Sequence, residues 1–266
     1  MNGLAIITGA SGGIGAAIAA QLLGQGYSVL LTGRNEARLV EVCRELADHY
    51  PEGVIVSVTA DLTQETGRQA VIQRASEANL PLTLLVNNAG RGLFNLFADI
   101  APSDLSDVLA TNISAPVLLT QAILAHFSTT SPALQIVNIG STFGSIGYPG
   151  FSGYCATKFA LRGWSEALAR EYADTAIRIR YFAPRATQTE LNTDSVNAMN
   201  RELGVTMDSA EQVAREFVTF LKGKDTVAHI GWPERFFVWL NKISPNTVSS
   251  ALTKQLPTIR RHARKA

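Results

Sequence analysis

Residues 4–23 read LAIITGASGGIGAAIAAQLL: five apolar or β-branched positions, a glycine-rich turn, and an alanine-rich run. The opening five fit a strand buried on both faces and the closing run fits a helix. Between them stand glycines at 9, 13 and 15. Glycines let a backbone come close to an anion, and the free N–H groups and dipole of a helix start attract one, so the turn reads as a pyrophosphate site. The competing reading is a turn that only tightens the packing of strand on helix. No GKS or GKT follows, which disfavours a nucleoside-triphosphate loop, and the spacing also differs from GxGxxG.

The same strand-then-helix unit recurs along the chain. Apolar runs occupy 4–8, 27–32, 54–59, 82–87, 134–139, 177–182 and 226–231, and helical stretches occupy 13–25, 35–48, 64–79, 103–129, 155–173 and 209–222. Most of the apolar runs lack strict polar alternation, as strands of a parallel sheet do. The alternation predicts an α/β fold, a doubly wound seven-stranded parallel sheet with helices on both faces. With 266 residues, 46% hydrophobic and 17% charged, the chain is long enough for one large core, and no linker or repeat divides it.

Composition narrows the function classes. A formal net charge of +1 gives no basic field for nucleic acid. Cys43 and Cys155 form no CxxC pair, which fits a reducing compartment and a cytoplasmic location. No basic segment precedes the first apolar run, so it is not a signal peptide, and no later segment is expected to reach the length of a membrane span. His49, His126, His229 and His262 are scattered, so no metal site is expected.

In such sheets ligands gather at the carboxyl ends of the strands. After the second strand stands Arg34, where an NAD-binding chain usually has an acid for the ribose 2′-hydroxyl; an arginine there suits a 2′-phosphate. It can also be an exposed arginine near a helix start. Asp61 closes the third strand and either meets an adenine edge or caps the next helix. The fourth ends in LVNNAG (85–90), where Asn87 can be purely structural. Asn112 sits in an apolar helical pattern and needs partners if buried. Ser141 lies just past the fifth strand, and Tyr154 and Lys158 share a helix face one turn apart.

TGASGGIG (8–15), NNAG (87–90), Asn112, Ser141 and the YxxxK of Tyr154 and Lys158 follow in order over roughly residues 4–190. Together they resemble the short-chain dehydrogenase/reductase family. The resemblance implies a Rossmann-type sheet in the order 3-2-1-4-5-6-7 and four catalytic residues, Asn112, Ser141, Tyr154 and Lys158. Tyr154 would exchange the proton on the substrate oxygen. Its phenol needs a lowered pKa to do so at neutral pH, and the Lys158 ammonium, with the positive nicotinamide when the cofactor is oxidised, is expected to lower it. Ser141 would donate to the carbonyl oxygen, Lys158 would hold the nicotinamide ribose, and Asn112 would hold a water linking Lys158 to solvent.

The cofactor expected is NADP(H) in preference to NAD(H). On the first turn the resemblance assigns it Gly9, Ser11, Gly13, Ile14 and Gly15. Arg34, Asp61 and Leu62 would follow at the second and third strand ends, and Asn88, Ala89 and Gly90 at the fourth. Tyr154, Lys158, Pro184 and either Thr187 or Thr189 would complete the set.

The chain departs from the family in two places. Arg185 follows Pro184 where the family has glycine; a positive φ would strain it, and a negative φ would free it for phosphate or an acidic substrate. Residues 185–207 read as a substrate lid. Beyond the domain proper, 1–231, the extension 232–266 carries Phe236, Phe237, Trp239 and Leu240, then Lys254, Arg260, Arg261, Arg264 and Lys265. The aromatics are expected to pack on the domain or on a partner subunit, leaving a solvated basic tail. Contact with an anionic membrane, or cover for a lipid-like substrate, is the less favoured reading.

The function expected is interconversion of a mostly apolar ketone or aldehyde with its alcohol. A catalytically silent NADP-binding sensor or scaffold is the alternative, against which all four catalytic side chains are retained. A sugar-nucleotide epimerase or dehydratase is disfavoured by the short chain. Pairing into a homodimer or homotetramer would use the helices near 103–129 and 155–173.

Overall fold

The structure, a computed structural model, describes residues 2–127 and 133–264. Lys265, the last of the basic residues singled out above, lies outside the described residues, as do 128 and 129 of the expected fourth helix.

Seven strands form one parallel sheet: β1 Leu4–Thr8, β2 Ser28–Gly33, β3 Ile55–Thr59, β4 Leu82–Asn87, β5 Gln135–Ile139, β6 Arg178–Ala183 and β7 Val227–His229. Their order is β3-β2-β1-β4-β5-β6-β7, as expected. Reversal at β1 sends successive helices to opposite faces and opens a crevice at the carboxyl ends of β1 and β4. Along β1 the side chains alternate, so Ala5 and Ile7 enter one core while Leu4 and Ile6 enter the other.

Helices α1 Gly13–Gly24, α2 Glu36–His49 and α3 Glu65–Glu77 follow the first three strands. On one face, Ile18 and Leu22 of α1 meet Val213 and Phe217 of α8, Ala210–Lys222, and Phe217 stands edge-on to Phe182 with ring centroids 5.4 Å apart. On the other face, Val71 of α3 packs with Leu119 and Ile123 of α5, Ala115–Phe127.

Before α5 the chain forms α4, Pro102–Leu109, and a π turn over Ala110–Ser114 joins the two into one continuous helix. This 26-residue helix is long and apolar enough to cross a membrane by length and composition, with a mean hydropathy of 1.6 over its most apolar window. That corrects the expectation that no segment would be. Pro102 and Pro116 suggest breaks in sequence, but Pro102 takes the first turn, where its missing N–H costs little. The helix buries Leu119, Ile123, Leu124 and Phe127 against the sheet.

Helix α6, Ser152–Glu171, starts three residues before its expected boundary. The expected lid contains a helix of its own, α7 Asp194–Glu202, capped by the Thr193 hydroxyl, which accepts from the Val196 N–H. The extension is helical as well. Helix α9, Glu234–Ile243, and α10, Pro245–Ala263, fold back on the body, with Val238 and Val248 packed on Ile146, and with Ile259 and Ala263 against Val196 and Met199 of α7. Its basic end is therefore not a loose tail: Arg261 and His262 both pair with Glu202.

Candidate active site

A cleft of about 830 Å³ runs along the carboxyl ends of the strands, from the turn after β1 to a space bounded by α7, α9 and α10. Its first wall is the glycine turn. Gly9 has φ +65° and Gly13 φ +55°, and a Cβ on Gly9 would stand 2.7 Å from the Ala89 Cα, so only glycine fits there. Gly12 gives α1 no side-chain cap, unlike Asn35, Thr193 and Ser209 at α2, α7 and α8. No acidic residue occupies its first turn either, which leaves a positive helix end open to an anion. Ser11, Gly13 and Ile14 line the cleft, while buried Gly15 abuts the Asn88 side chain and lets α1 lie close to the sheet.

The strand ends place the remaining residues. β2 ends in Gly33, followed by Arg34 and Asn35, and all three line the cleft with no carboxylate at the strand end. Arg38 lines it too and pairs with Glu190 of the 185–207 segment. Sequence reading passed over Arg38, although it lies one helical turn beyond Arg34. Asp61 lines the cleft beside the mostly buried Leu62. Its carboxylate accepts from the Thr63 N–H and hydroxyl in a local turn, while Gln64 takes the cap position of α3.

The asparagines are distributed by burial. Asn88 donates to the carbonyls of Thr8 and Gly9, holding the glycine turn from behind. Ala89 N–H donates to the Thr8 hydroxyl. Asn87 faces the core, where Thr120, Asn87, Asn138 and Ser165 form a buried chain of hydrogen bonds tying α5 to α6 across the sheet. Asn112, in the π turn and 1% exposed, accepts from the Arg91 N–H and donates to the Arg91 carbonyl and the Thr157 hydroxyl. Both amide hydrogens are thus committed to protein partners. Pro116, four residues on, has no N–H for the α-helical bond to the Asn112 carbonyl.

Tyr154, Lys158 and Ser141 converge at the floor of the cleft. Lys158 Nζ lies 5.6 Å from the centre of the Tyr154 ring, is 5% exposed, and donates to the Ile139 carbonyl at 2.9 Å. Desolvation lowers its pKa to about 8. The Tyr154 phenol is pushed well above its ordinary value, chiefly by burial and next by Tyr181, while a hydrogen bond with Ser141 pulls the other way. In the protein alone, burial therefore keeps the Tyr154 phenol above its ordinary value, against the expected depression. Ser141 Oγ accepts from the Phe143 N–H, which leaves its hydroxyl proton to give.

On the far side the cleft is aromatic. Phe143 stacks on Tyr148 at 4.9 Å, and Phe94, Phe151 and Tyr154 join the same cluster. Cys155 is buried within it and adds volume. These rings line the cleft beside Val196 and Met199, and apart from Tyr154 none was singled out from sequence, because only the fold gathers them.

Pro184, Thr187 and Thr189 complete the wall. The Thr187 hydroxyl donates to the Arg185 carbonyl, and Thr189 lies opposite Gly13, 3.3 Å from where a Cβ on that glycine would stand. Arg185 does not reach for phosphate. The only non-glycine residue with positive φ among those described is Asn79, so Arg185 is unstrained. Its guanidinium pairs with Asp208 at 2.6 Å and Glu234 at 3.4 Å.

A family model for short chain dehydrogenases matches residues 3–200. Sulfoacetaldehyde reductase 2 of Chromohalobacter salexigens is 34% identical over 191 residues, 71% of this chain and 75% of that one. The bulky-bulky ketone specific alcohol dehydrogenase of Comamonas testosteroni superposes with a TM-score of 0.76 at 26% identity, covering 93% of this chain and 94% of that one. An actinorhodin polyketide ketoreductase solved with NADPH gives 0.77 at 26% identity, over 85% and 95%. A Burkholderia phymatum short chain dehydrogenase/reductase solved with NAD shares the fold, at 0.81 and 21% identity over 92% and 94%. A dinucleotide crevice in a doubly wound sheet defines the class, and within that class this chain belongs to the short-chain dehydrogenase/reductase family of oxidoreductases.

Proposed function

We propose that this protein is an NADP(H)-dependent oxidoreductase that interconverts a mostly apolar ketone or aldehyde with its alcohol. The observation that carries the reading is the meeting of Ser141, Tyr154 and Lys158 at the floor of a cleft whose other end is an open, uncapped helix start. A nicotinamide dinucleotide suits that cleft: the glycine turn admits a pyrophosphate, and the atoms nearest the missing Cβ of Gly90 are the Asn112 Oδ1, the Asn88 carbonyl oxygen and the Lys158 Nζ, at 3.5, 3.8 and 4.0 Å. Arg34 supports the phosphorylated form, since β2 ends without the acid that would hold a free 2′-hydroxyl.

Bound there, the cofactor supplies or accepts a hydride at the substrate carbon. Ser141 donates a hydrogen bond from its hydroxyl to the substrate oxygen, keeping its proton, and polarises the carbonyl. Tyr154 gives that oxygen its proton in reduction and takes it back in oxidation. Lys158, held by the Ile139 carbonyl, stabilises the phenolate once the proton has left. Asn112 fixes the loop at Arg91 to the catalytic helix through Thr157 and so keeps the floor in place. The aromatic wall excludes water and favours apolar substrates.

We also place the protein in the cytoplasm, which suits its two free cysteines, and as a homodimer or homotetramer using the exposed Leu118 and Phe159 on α5 and α6. A panel of carbonyl compounds assayed for NADPH and NADH oxidation tests the enzyme reading. Tyr154→Phe should lower turnover by roughly 10²–10⁴-fold. Arg34→Ala should abolish the preference for NADPH. Unchanged turnover in the first variant defeats the mechanism, and unchanged preference in the second defeats the cofactor assignment.

A further inference from the structure

The extension concentrates positive charge. Residues 232–266 contain seven of the 23 lysines and arginines but one of the 22 acidic residues, so the remainder of the chain is net acidic. That one acid, Glu234, turns inward to Arg185.

The outer side of α9 carries an apolar stripe. Trp232, just before the helix, Phe236, Trp239 and Ile243 recur at i, i+4, i+7 and i+11, and they are 73%, 40%, 53% and 61% exposed. Rings touch along the stripe, Trp232 to Phe236 at 6.0 Å and Phe236 to Trp239 at 5.7 Å. Arg235 and Lys242, both exposed, flank Trp239 one turn to either side. Exposed tryptophan and phenylalanine bordered by basic residues is the pattern of a helix lying in a lipid headgroup layer.

The stripe also adjoins the cleft. Phe237 is exposed on α9, touches Phe236 with ring centroids at 5.8 Å, and lines the cleft together with Leu240, Val248 and Leu252. The apolar end of the catalytic cleft therefore lies on the same helix pair as the stripe. A second copy of the stripe is a poor occupant, because two-fold pairing of α9 on itself would bring Arg235 and Lys242 near their own copies.

We propose that the exposed side of α9 seats this protein on an anionic lipid bilayer, and that its substrate is an amphipathic long-chain ketone or alcohol passed from that bilayer into the apolar end of the cleft. The seat is reversible, since one helix with a few charges gives only moderate membrane affinity. The substrate half rests on the oxidoreductase reading above; the bilayer half stands without it.

Sedimentation of the full chain with vesicles of phosphatidylcholine, with or without phosphatidylglycerol, tests the seat. Binding is expected on the anionic vesicles, with a blue shift of tryptophan emission and release by added salt. The double variant Trp232→Ser/Trp239→Ser, which leaves the cleft lining untouched, should bind about tenfold more weakly or worse, and Arg235→Glu/Lys242→Glu should lose the preference for anionic lipid. Equal binding by wild type and the tryptophan variant, or none by wild type, overturns the proposal. So does a wild-type oligomer that dissociates in the tryptophan variant without any vesicle binding, which makes the stripe a contact between copies. For the substrate half, the tryptophan variant should retain turnover of a short soluble ketone and lose about tenfold or more on a long-chain ketone held in anionic vesicles. Equal rates on the vesicle-borne ketone refute it. Vesicle binding with no turnover of any carbonyl compound would instead refute the oxidoreductase reading and leave the bilayer seat standing.

Discussion

Lys158 bears a buried ammonium with no carboxylate partner among the described residues, and that has a measurable cost. Its pKa falls to about 8 in the folded chain against an ordinary 10.5. Below pH 8 both folded and unfolded chains carry the proton and the full penalty applies; above 10.5 neither does and it is gone. Stability should therefore rise with pH across that window. We expect the unfolding free energy of the cofactor-free protein, relative to Lys158→Met, to increase by about 2 kcal/mol between pH 7.5 and 10, read by urea denaturation of both proteins. Equal pH dependence of the two would show that the ammonium is solvated. The pair Tyr154 and Lys158 was legible from spacing, because a four-residue interval on a helix is a local property. The partners of Asn112 were not. Arg91 is twenty-one residues away, and only the return of the loop after β4 brings its backbone to the π turn.

At the scale of elements, the segment between β6 and α8 is closed at its own base. Thr187 and Asp208 form a parallel bridge, with Gln188 N–H donating to the Asp208 carbonyl and Asp208 N–H to that of Ala186. Arg185 clamps the same base through the almost fully buried Asp208 carboxylate and reaches α9 through Glu234. Asp208→Asn leaves the guanidinium with one distant partner and should cost about 2–4 kcal/mol in stability, measured by denaturant unfolding. Its KM should also rise more than its kcat falls, since Thr187 and Thr189 would lose their anchor while Tyr154 would not. Glu234→Gln should do less, being farther from Arg185 and more exposed. Loss of kcat alone in Asp208→Asn would contradict this arrangement.

The sheet and six of the helices could be read from apolar runs and helical periodicity, because burial on both faces leaves a strong pattern, whereas the strand order came only with the family resemblance. Helix α7 was hidden by a polar composition, although Thr193 as cap, with Val196, Met199 and Leu203 at helical spacing, was a usable signal. Helix α10 was hidden by Pro257, which lies inside it and interrupts the pattern that a sequence reader trusts.

Across the whole molecule, cofactor and fold are coupled, since strands, α1 and the catalytic helix all face one crevice. A dinucleotide at about one hundred times its Kd should stabilise the protein by about 2.7 kcal/mol. In a chain of this length that raises Tm by roughly 5–10 °C. NADPH should give the larger shift, NADH a smaller one at equal concentration, and Arg34→Ala should bring the two together in a thermal-shift assay. A larger shift with NADH would reverse the cofactor assignment.

The closed base of the 185–207 segment divides the chain by inheritance as well as by space. The proposed reaction centre is encoded before residue 159, whereas much of the remaining cleft wall is encoded after residue 184, in the 185–207 segment, α9 and α10. Because Arg185 and Asp208 tie off the neck, mutations accumulating between them can reshape the wall without disturbing the strand they hang from. The fold thus carries a cassette, and exchanging residues 188–207 between relatives is the shortest route by which a new substrate preference could be acquired on an unaltered reaction centre.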